Sequence, residues 1–384
     1  MRIHNWLLLL LTAMAGAALA SLGFLSHAPN RIVPGEPLAL HAVASGSMLM
    51  VLAACALILV VCSILAQSRL TLLLSGLCLC ASIIVILFVA GDGARTLAAS
   101  SVPAARTSLG PAFWIVLAAI ILALIDLTQQ ARLSPAQRIA LAAIVITICA
   151  GMMLGGVFDN LSLAREYRAR SDAFAAEFRR HLLLVVLSAG ISGVIGLPLG
   201  VLAFRNARFG QRLSALLGVV QTVPSIALFG LLIGPLSALA VALPWLRQLG
   251  ISGIGTAPAL IALVLYSLLP LVRNTVAGLQ SVPEAVIDAA RGNGMRNSQI
   301  MMKITLPLAL PVILSGFRVV VIQTVGLSVV AALIGAGGLG SFVFQGLGQN
   351  AVDLVLLGVI PTVLMALGVD SLFSLATSGL RTAQ

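Results

Sequence analysis

Few residues in this chain can do chemistry, and their spacing limits which chemistry it can be. Lys303 is the only lysine in 384 residues, and Met302 precedes it. A phosphate-cradling loop needs a Gly-Lys pair whose ammonium reaches the phosphates, so the chain holds no such nucleotide site. The cysteines Cys55, Cys62, Cys78, Cys80 and Cys149 all fall in apolar runs. Cys78 and Cys80 lack the two-residue spacing of a redox or zinc pair, and the five read as small buried hydrophobes. Neither a disulfide framework nor a metal site is expected.

The most informative stretch runs from Ser281 to Pro311 and reads SVPEAVIDAARGNGMRNSQIMMKITLPLALP. Ser281 and Glu284 have the spacing of a capping box, with Pro283 in the first turn. Ala285, Ala289 and Ala290 would give that helix a face another protein can approach closely. Gly292 and Gly294 should stop it, and Asn297 can cap a second helix running toward Pro307. The spacing predicts two short helices joined by a glycine turn; an ordinary connection between spans is the alternative.

The surrounding elements are membrane spans. Hydrophobic residues make up 60% of the chain and charged residues only 9%, with a mean hydropathy of +1.14. A soluble domain carries about a quarter charged residues, so the solvent for most of this chain is lipid. The net charge of +11 does not point to nucleic acid, because the arginines are scattered between apolar runs. Ten runs are long enough to span: 6–26, 44–66, 70–90, 112–128, 138–157, 181–203, 213–236, 257–276, 308–334 and 354–378. The seventh is interrupted by Gly234-Pro235 and Pro244, and could be one span plus a re-entrant piece.

Basic residues set the orientation. Arg69, Arg132, Arg138, Arg205, Arg208, Arg212, Arg273, Arg291, Arg296, Lys303 and Arg381 fall on one side, which places both ends of the chain in the cytoplasm. Arg31, Arg95, Arg106 and Arg247 fall outside. The segment 158–180 conflicts with the rule, because it holds five arginines outside together with Asp159, Glu166, Asp172 and Glu177. Phe174, Phe178 and the leucines from Leu182 have helical spacing, so it reads as an amphipathic surface helix. It divides residues 1–157, about five helices to which the sequence assigns no role, from residues 181–384. Arg2, the run 6–20 and Ala18-Leu19-Ala20 resemble a cleavable leader; an uncleaved first helix is the reading adopted.

Asp288-Ala289-Ala290, Gly294 and Ile304-x-Leu306-Pro307 resemble the EAA motif of ABC-importer permeases, with Asp288 in place of the usual Glu. The resemblance implies an all-α integral membrane protein of about ten transmembrane helices, the last five forming a type I importer core. It implies a coupling loop at 281–307 that docks on a separate ATPase, with Glu284, Ala285, Asp288, Ala289, Ala290, Gly294, Arg296, Ile304, Leu306 and Pro307 as its candidate residues. Three further stretches resemble the osmoprotectant branch, which imports glycine betaine, choline and similar quaternary amines. These are Gln221–Ser225 with Ala227-Leu228-Phe229, Leu265–Pro270 with Arg273-Asn274, and Ile334–Gly340. They lie in the C-terminal half, and the N-terminal spans resemble the extension of a longer subgroup.

The resemblance implies the permease of an ATP-driven importer in the bacterial inner membrane. By the same resemblance it is expected to be no enzyme itself and to carry no cofactor, with ATP and Mg on the partner ATPase. Other implied partners are an extracytoplasmic solute-binding protein and a second permease copy or paralogue. Candidate path and gate residues are Gln221, Pro224, Ser225, Tyr266, Gln323, Thr324, Gly337 and Gly338. Pro224 and Pro270 could equally be simple kinks, the glycine run 335–340 a flexible outer loop, and Gln323 and Thr324 helix-packing groups. Trp6, Trp114 and Trp245 read as interfacial anchors, leaving Tyr266 as the one aromatic well placed in a core span. Asp353 and Asp370 read as interfacial or packing groups. An amino acid or other small polar cargo is the alternative substrate. An ATP-independent carrier or channel would need charges near mid-membrane, of which the reading finds almost none.

Overall fold

The computed structural model describes residues 4–31, 33–248 and 250–382. Arg2 of the leader-like segment lies outside the described residues, as does the side chain of Arg381. Contacts divide the chain into two compact units, Met1–Ala169 and Arg170–Gln384.

In the first unit, α1 (Trp6–Ser21) begins at Asn5, whose side-chain oxygen accepts the Leu8 N–H at 2.9 Å. It ends short of the expected residue 26, because Leu25–Ala28 forms strand β1. β1 is the centre of a small antiparallel sheet, between β2 (Glu36–Leu38) and β3 (Arg106–Leu109). The sequence reading did not foresee this sheet. Its strands are three or four residues long and show no alternation, so pairing alone reveals them. The other helices are α2 (Leu40–Val43), α3 (Gly46–Ile64), α4 (Arg69–Ser100), α5 (Pro111–Gln130), α6 (Pro135–Leu154) and α7 (Ser162–Ala169). Ser68 with Thr71 and Ser134 with Gln137 close reciprocal caps on α4 and α6. α4 runs past residue 90, so Arg95, expected in a loop, is helical. No proline interrupts that extension. Phe24 and Phe113 meet edge to face at 5.8 Å in the core, beside the fully buried Ile86.

The second unit opens with α8 (Ser171–Arg205), one continuous helix. This corrects the surface helix expected over 158–180: residues 171–180 are the first turns of α8. Nothing between Ser171 and His181 is Gly or Pro, so nothing breaks the helix. Phe174 stacks on Phe178 and on Phe342, both with centroids 6.1 Å apart, so these rings pack within the unit. The span expected over 213–236 is also corrected. It is two helices, α9 (Ala207–Thr222) and α10 (Ser225–Ala242), separated at Pro224, which lacks the N–H that would continue α9. Pro235 is carried inside α10.

After α11 (Trp245–Gln248), α12 (Thr256–Gln280) forms the centre of the unit, packed by α8, α9 and α10. Close approach to α8 depends on Gly196 and Gly200: a Cβ on Gly200 would lie 2.5 Å from that of Thr275, and one on Gly196 2.7 Å from Leu271. Such small residues let spanning helices pack through van der Waals contact. The chain continues through α13 (Glu284–Gly292), α14 (Asn297–Ile300), a π-helical turn Met301–Thr305, α15 (Leu306–Val330) and a 3₁₀ turn Ala331–Ile334. It ends with α16 (Gly340–Gly348) and α17 (Val352–Thr382). α15 packs on α12 and α17.

Among the described residues nine helices are long and apolar enough to cross a membrane. The tenth expected span, α1, has 16 residues, about 24 Å at 1.5 Å per residue. Helices satisfy their own backbone groups, which is what a lipid solvent demands.

Candidate functional site: a coupling loop and a glycine fold

The loop between α12 and α15 is built on an apolar anchor. Leu279, Val282, Ala309 and Ile313 are buried together, with Ile287, Met301 and Leu306 packed against them. This holds α13 against the ends of two spans and leaves its other face free. Glu284, Ala285, Asp288 and Ala289 are exposed, but Ala290, expected on the same approachable face, is corrected: it is buried, turned toward the spans. Asp288 accepts a hydrogen bond from Arg291 at 3.0 Å, one turn along the same exposed face. The anchors Val282, Ile287 and Met301 escaped the sequence reading. Their signal was apolar residues recurring inside an otherwise polar loop.

Three local expectations are corrected. Ser281 does not cap α13. It closes α12 instead, its hydroxyl donating to the Gly278 carbonyl at 2.7 Å, and Pro283 takes the cap position without a side-chain bond. Asn297 is the first residue of α14, not its cap. The cap is Arg296, whose N–H donates to the Gln299 side chain at 2.8 Å. The second helix does not stop near Pro307 either, but runs on into α15. The π turn widens the backbone there, with the Leu306 N–H reaching the Met301 carbonyl, so the missing N–H of exposed Pro307 interrupts nothing. Ile304 is half-buried beside it.

The glycine turn forms. α13 ends at Gly292, and Gly294 takes φ +76° with its N–H on the Arg291 carbonyl at 2.9 Å. The Met295 N–H reaches the Ala290 carbonyl at 3.2 Å, which closes the helix end through a left-handed residue.

The candidate path residues separate into two groups. Gln221 donates to the Tyr266 carbonyl at 2.9 Å, and the Tyr266 hydroxyl donates back to the Val223 carbonyl. Together they hold the break at Pro224, just before Ser225 opens α10. The Tyr266 ring is buried with Leu184, Phe229 and Leu263. Thr324 is also interior, bonded to the Val320 carbonyl and within 3.2 Å of the Ser267 hydroxyl. Gln323, next to it in sequence, is exposed.

The run 335–340 is folded tightly. Gly337 and Gly338 are buried at φ +75° and +87°, a region open to glycine. The Gly338 N–H donates to the Glu177 carboxylate at 2.5 Å, and a Cβ on Gly337 would meet Glu177 at 2.9 Å and Arg180 at 3.1 Å. Glu177 and Arg180 form an ion pair at 3.4 Å. The sequence reading missed this clamp, since Glu177 and Gly338 lie 161 residues apart.

A half-buried ion pair joins Arg318 of α15 to Asp370 of α17, with Arg318 Nε 2.7 Å from the carboxylate. In the sequence Asp370 reads as an interfacial or packing group, and Arg318 is not singled out. Its signal was a charge in the middle of an apolar run.

Comparison with known proteins follows the same division. Residues 3–164 match the N-terminal domain of the ABC transporter permease YehY. Residues 193–382 match the binding-protein-dependent transport system inner membrane component. The chain is 40% identical to the osmoprotectant import permease protein OsmW of Salmonella typhimurium, over 50% of this chain and 84% of that one. It is 38% identical to the carnitine transport permease protein OpuCB of Listeria monocytogenes, over 49% and 79%. It is 33% identical to the glycine betaine/carnitine/choline permease OpuCD of Bacillus subtilis, over 54% and 84%. The chain belongs to the binding-protein-dependent, EAA-motif family of ABC-importer permeases, in its osmoprotectant branch. It is a multi-pass protein of the bacterial inner membrane. Permeases of this family work with an ABC ATPase and a solute-binding protein, and ATP is hydrolysed on the separate ATPase subunit.

Proposed function

We propose that the chain carries a small quaternary-amine osmoprotectant, of the glycine betaine or choline type, from an extracytoplasmic binding protein into the cytoplasm by alternating access. The exposed face of α13 carries the mechanistic part of the reading. Glu284, Ala285, Asp288, Ala289, Gly294 and Arg296 meet the ATPase, which holds ATP and Mg. Ala290, Ile304 and Leu306 hold that face onto the spans, and Pro307 stands in the first turn of α15. Two permease cores, a second copy or a paralogue, enclose the path. Closure of the ATPase pair moves α13 and, through the anchor at Leu279, Val282 and Ile313, the ends of α12 and α15. ATP biases the two states only by binding one of them better.

The cargo class rests on the relatives, whose names give osmoprotectants, carnitine, glycine betaine and choline. An amino acid or another small polar solute is the second reading. Reconstituted permease–ATPase complex with its binding protein should take up radiolabelled glycine betaine when ATP is supplied. Competition by unlabelled choline or carnitine, and not by amino acids, is expected. Uptake displaced only by an amino acid would replace the cargo.

A further inference from the structure

The outward faces of the spanning helices in the second unit are not alike. On α8 every exposed residue from Leu182 to Leu202 is apolar, as a lipid-facing stripe should be. On α15 the exposed stripe of Val312, Val319 and Gly326 also carries Gln323. A carboxamide pointed at hydrocarbon is costly, so this stripe does not face lipid.

At the edge of the stripe stands the Arg318–Asp370 pair. Arg318 lies about 24 Å from Ile334 and about 18 Å from Leu306, and Asp370 about 27 Å from Val352, at 1.5 Å per residue. Both belong to the inner half of the membrane, well inside their helices. Charges at such depth are rare, and they mark solute or ion pathways. The pair is not sealed as a structural clamp would be, with side chains 34% and 40% exposed. Beside it Phe317 and Phe373 meet edge to face at 5.9 Å, each half-buried. The guanidinium and the carboxylate thus stand partly open, and the two rings lie close to them in sequence on the same two helices, packed on Val185, Ala189, Val321 and Val325.

We propose that Arg318 and Asp370 form a solute site in the inner half of the translocation path, taking the two opposite charges of a zwitterionic quaternary amine. The cargo carboxylate binds the planar fork of Arg318. Its trimethylammonium lies against Asp370 and the faces of Phe317 and Phe373, where cation–π attraction adds to the carboxylate. The two side chains pair with each other when the site is empty, so neither charge is left alone between turnovers. A betaine or carnitine satisfies both groups, whereas choline satisfies only Asp370. This inference rests on the quaternary-amine reading above and narrows it to carboxylate-bearing members of the class.

The test is equilibrium binding of radiolabelled glycine betaine to the permease–ATPase complex in nanodiscs, without binding protein, so that only the permease selects. Unlabelled betaine, choline (the cation alone) and tert-butylacetate (the anion alone, of the same shape) compete. Wild type should prefer betaine at least tenfold over either competitor. Arg318→Gln should abolish the preference over choline, and Asp370→Asn the preference over tert-butylacetate. The double variant, which strands no charge and so guards against misfolding, should lose both. Wild type without a preference, or without betaine binding, overturns the site, as do variants that keep the wild-type ratios. Uptake assays of the same wild-type complex with its binding protein report separately on the cargo reading: transport of betaine with unchanged selectivity in the variants sinks this site alone.

Discussion

Replacing Gly294 by alanine isolates one property of the coupling loop. A Cβ at Gly294 would touch nothing within 4 Å, so the substitution adds no clash inside the chain. The backbone is the obstacle: Gly294 sits at φ +76°, and an L-residue in the left-handed region costs about 1–2 kcal/mol. The docked geometry of the loop should fall in population by about five- to thirtyfold. Gly292 provides the control. A Cβ there also meets nothing within 4 Å, but its φ is not positive, so Gly292→Ala should be near neutral. Gly294→Asn should fall between the two, because asparagine tolerates the left-handed region. The assay is ATPase activity of the reconstituted complex stimulated by loaded binding protein, with membrane insertion checked by the yield of folded permease. Gly294→Ala should lose stimulation while inserting normally. Equal activity in Gly294→Ala and wild type, or equal damage in Gly292→Ala, would refute the link between this torsion and coupling.

Three further outcomes follow from the packing. Gly200→Ala places a methyl 2.5 Å from Thr275, so it should destabilise the permease by about 1–3 kcal/mol; Gly190→Ala, in open space on the same helix, should not, and thermal unfolding of the two compares them. Tyr266→Phe removes the hydroxyl that donates to Val223 and should cost about 0.5–1.5 kcal/mol, seen as a lowered melting temperature; an unchanged one would count against its role at the Pro224 break. Glu177→Ala removes the acceptor of the Gly338 N–H, a charge-assisted bond of about 1.5–3 kcal/mol, so exchange of the Gly338 amide should speed about ten- to hundredfold in deuterium-exchange mass spectrometry.

What the sequence made legible was local. The glycine turn at 292–294 and the small exposed face of α13 could be read directly, because each depends on neighbours within a few residues. Caps were less legible. Ser281 had the right partner spacing for α13, but α12 ran on far enough to claim its hydroxyl. The span boundaries moved for similar reasons. Pro224 broke a run that hydropathy joined, and the apolar spacing of Phe174 and Phe178 was satisfied by Phe342 rather than by lipid. The long-range polar contacts were hidden altogether. Glu177 finds Gly338 across 161 residues, and Arg318 finds Asp370 across 52, separations at which no spacing rule operates. A lone charge inside a run was visible at position 318, and its partner's existence is what gives it meaning.

The central claim is that this chain couples a separate ATPase to the delivery of a quaternary amine by a binding protein. The measurement that tests it most directly is ATP hydrolysis by the permease–ATPase complex in lipid nanodiscs, with and without binding protein and glycine betaine. Stimulation only when protein and betaine are both present is the predicted result. No stable complex with an ATPase subunit, or hydrolysis indifferent to the loaded binding protein, would contradict it.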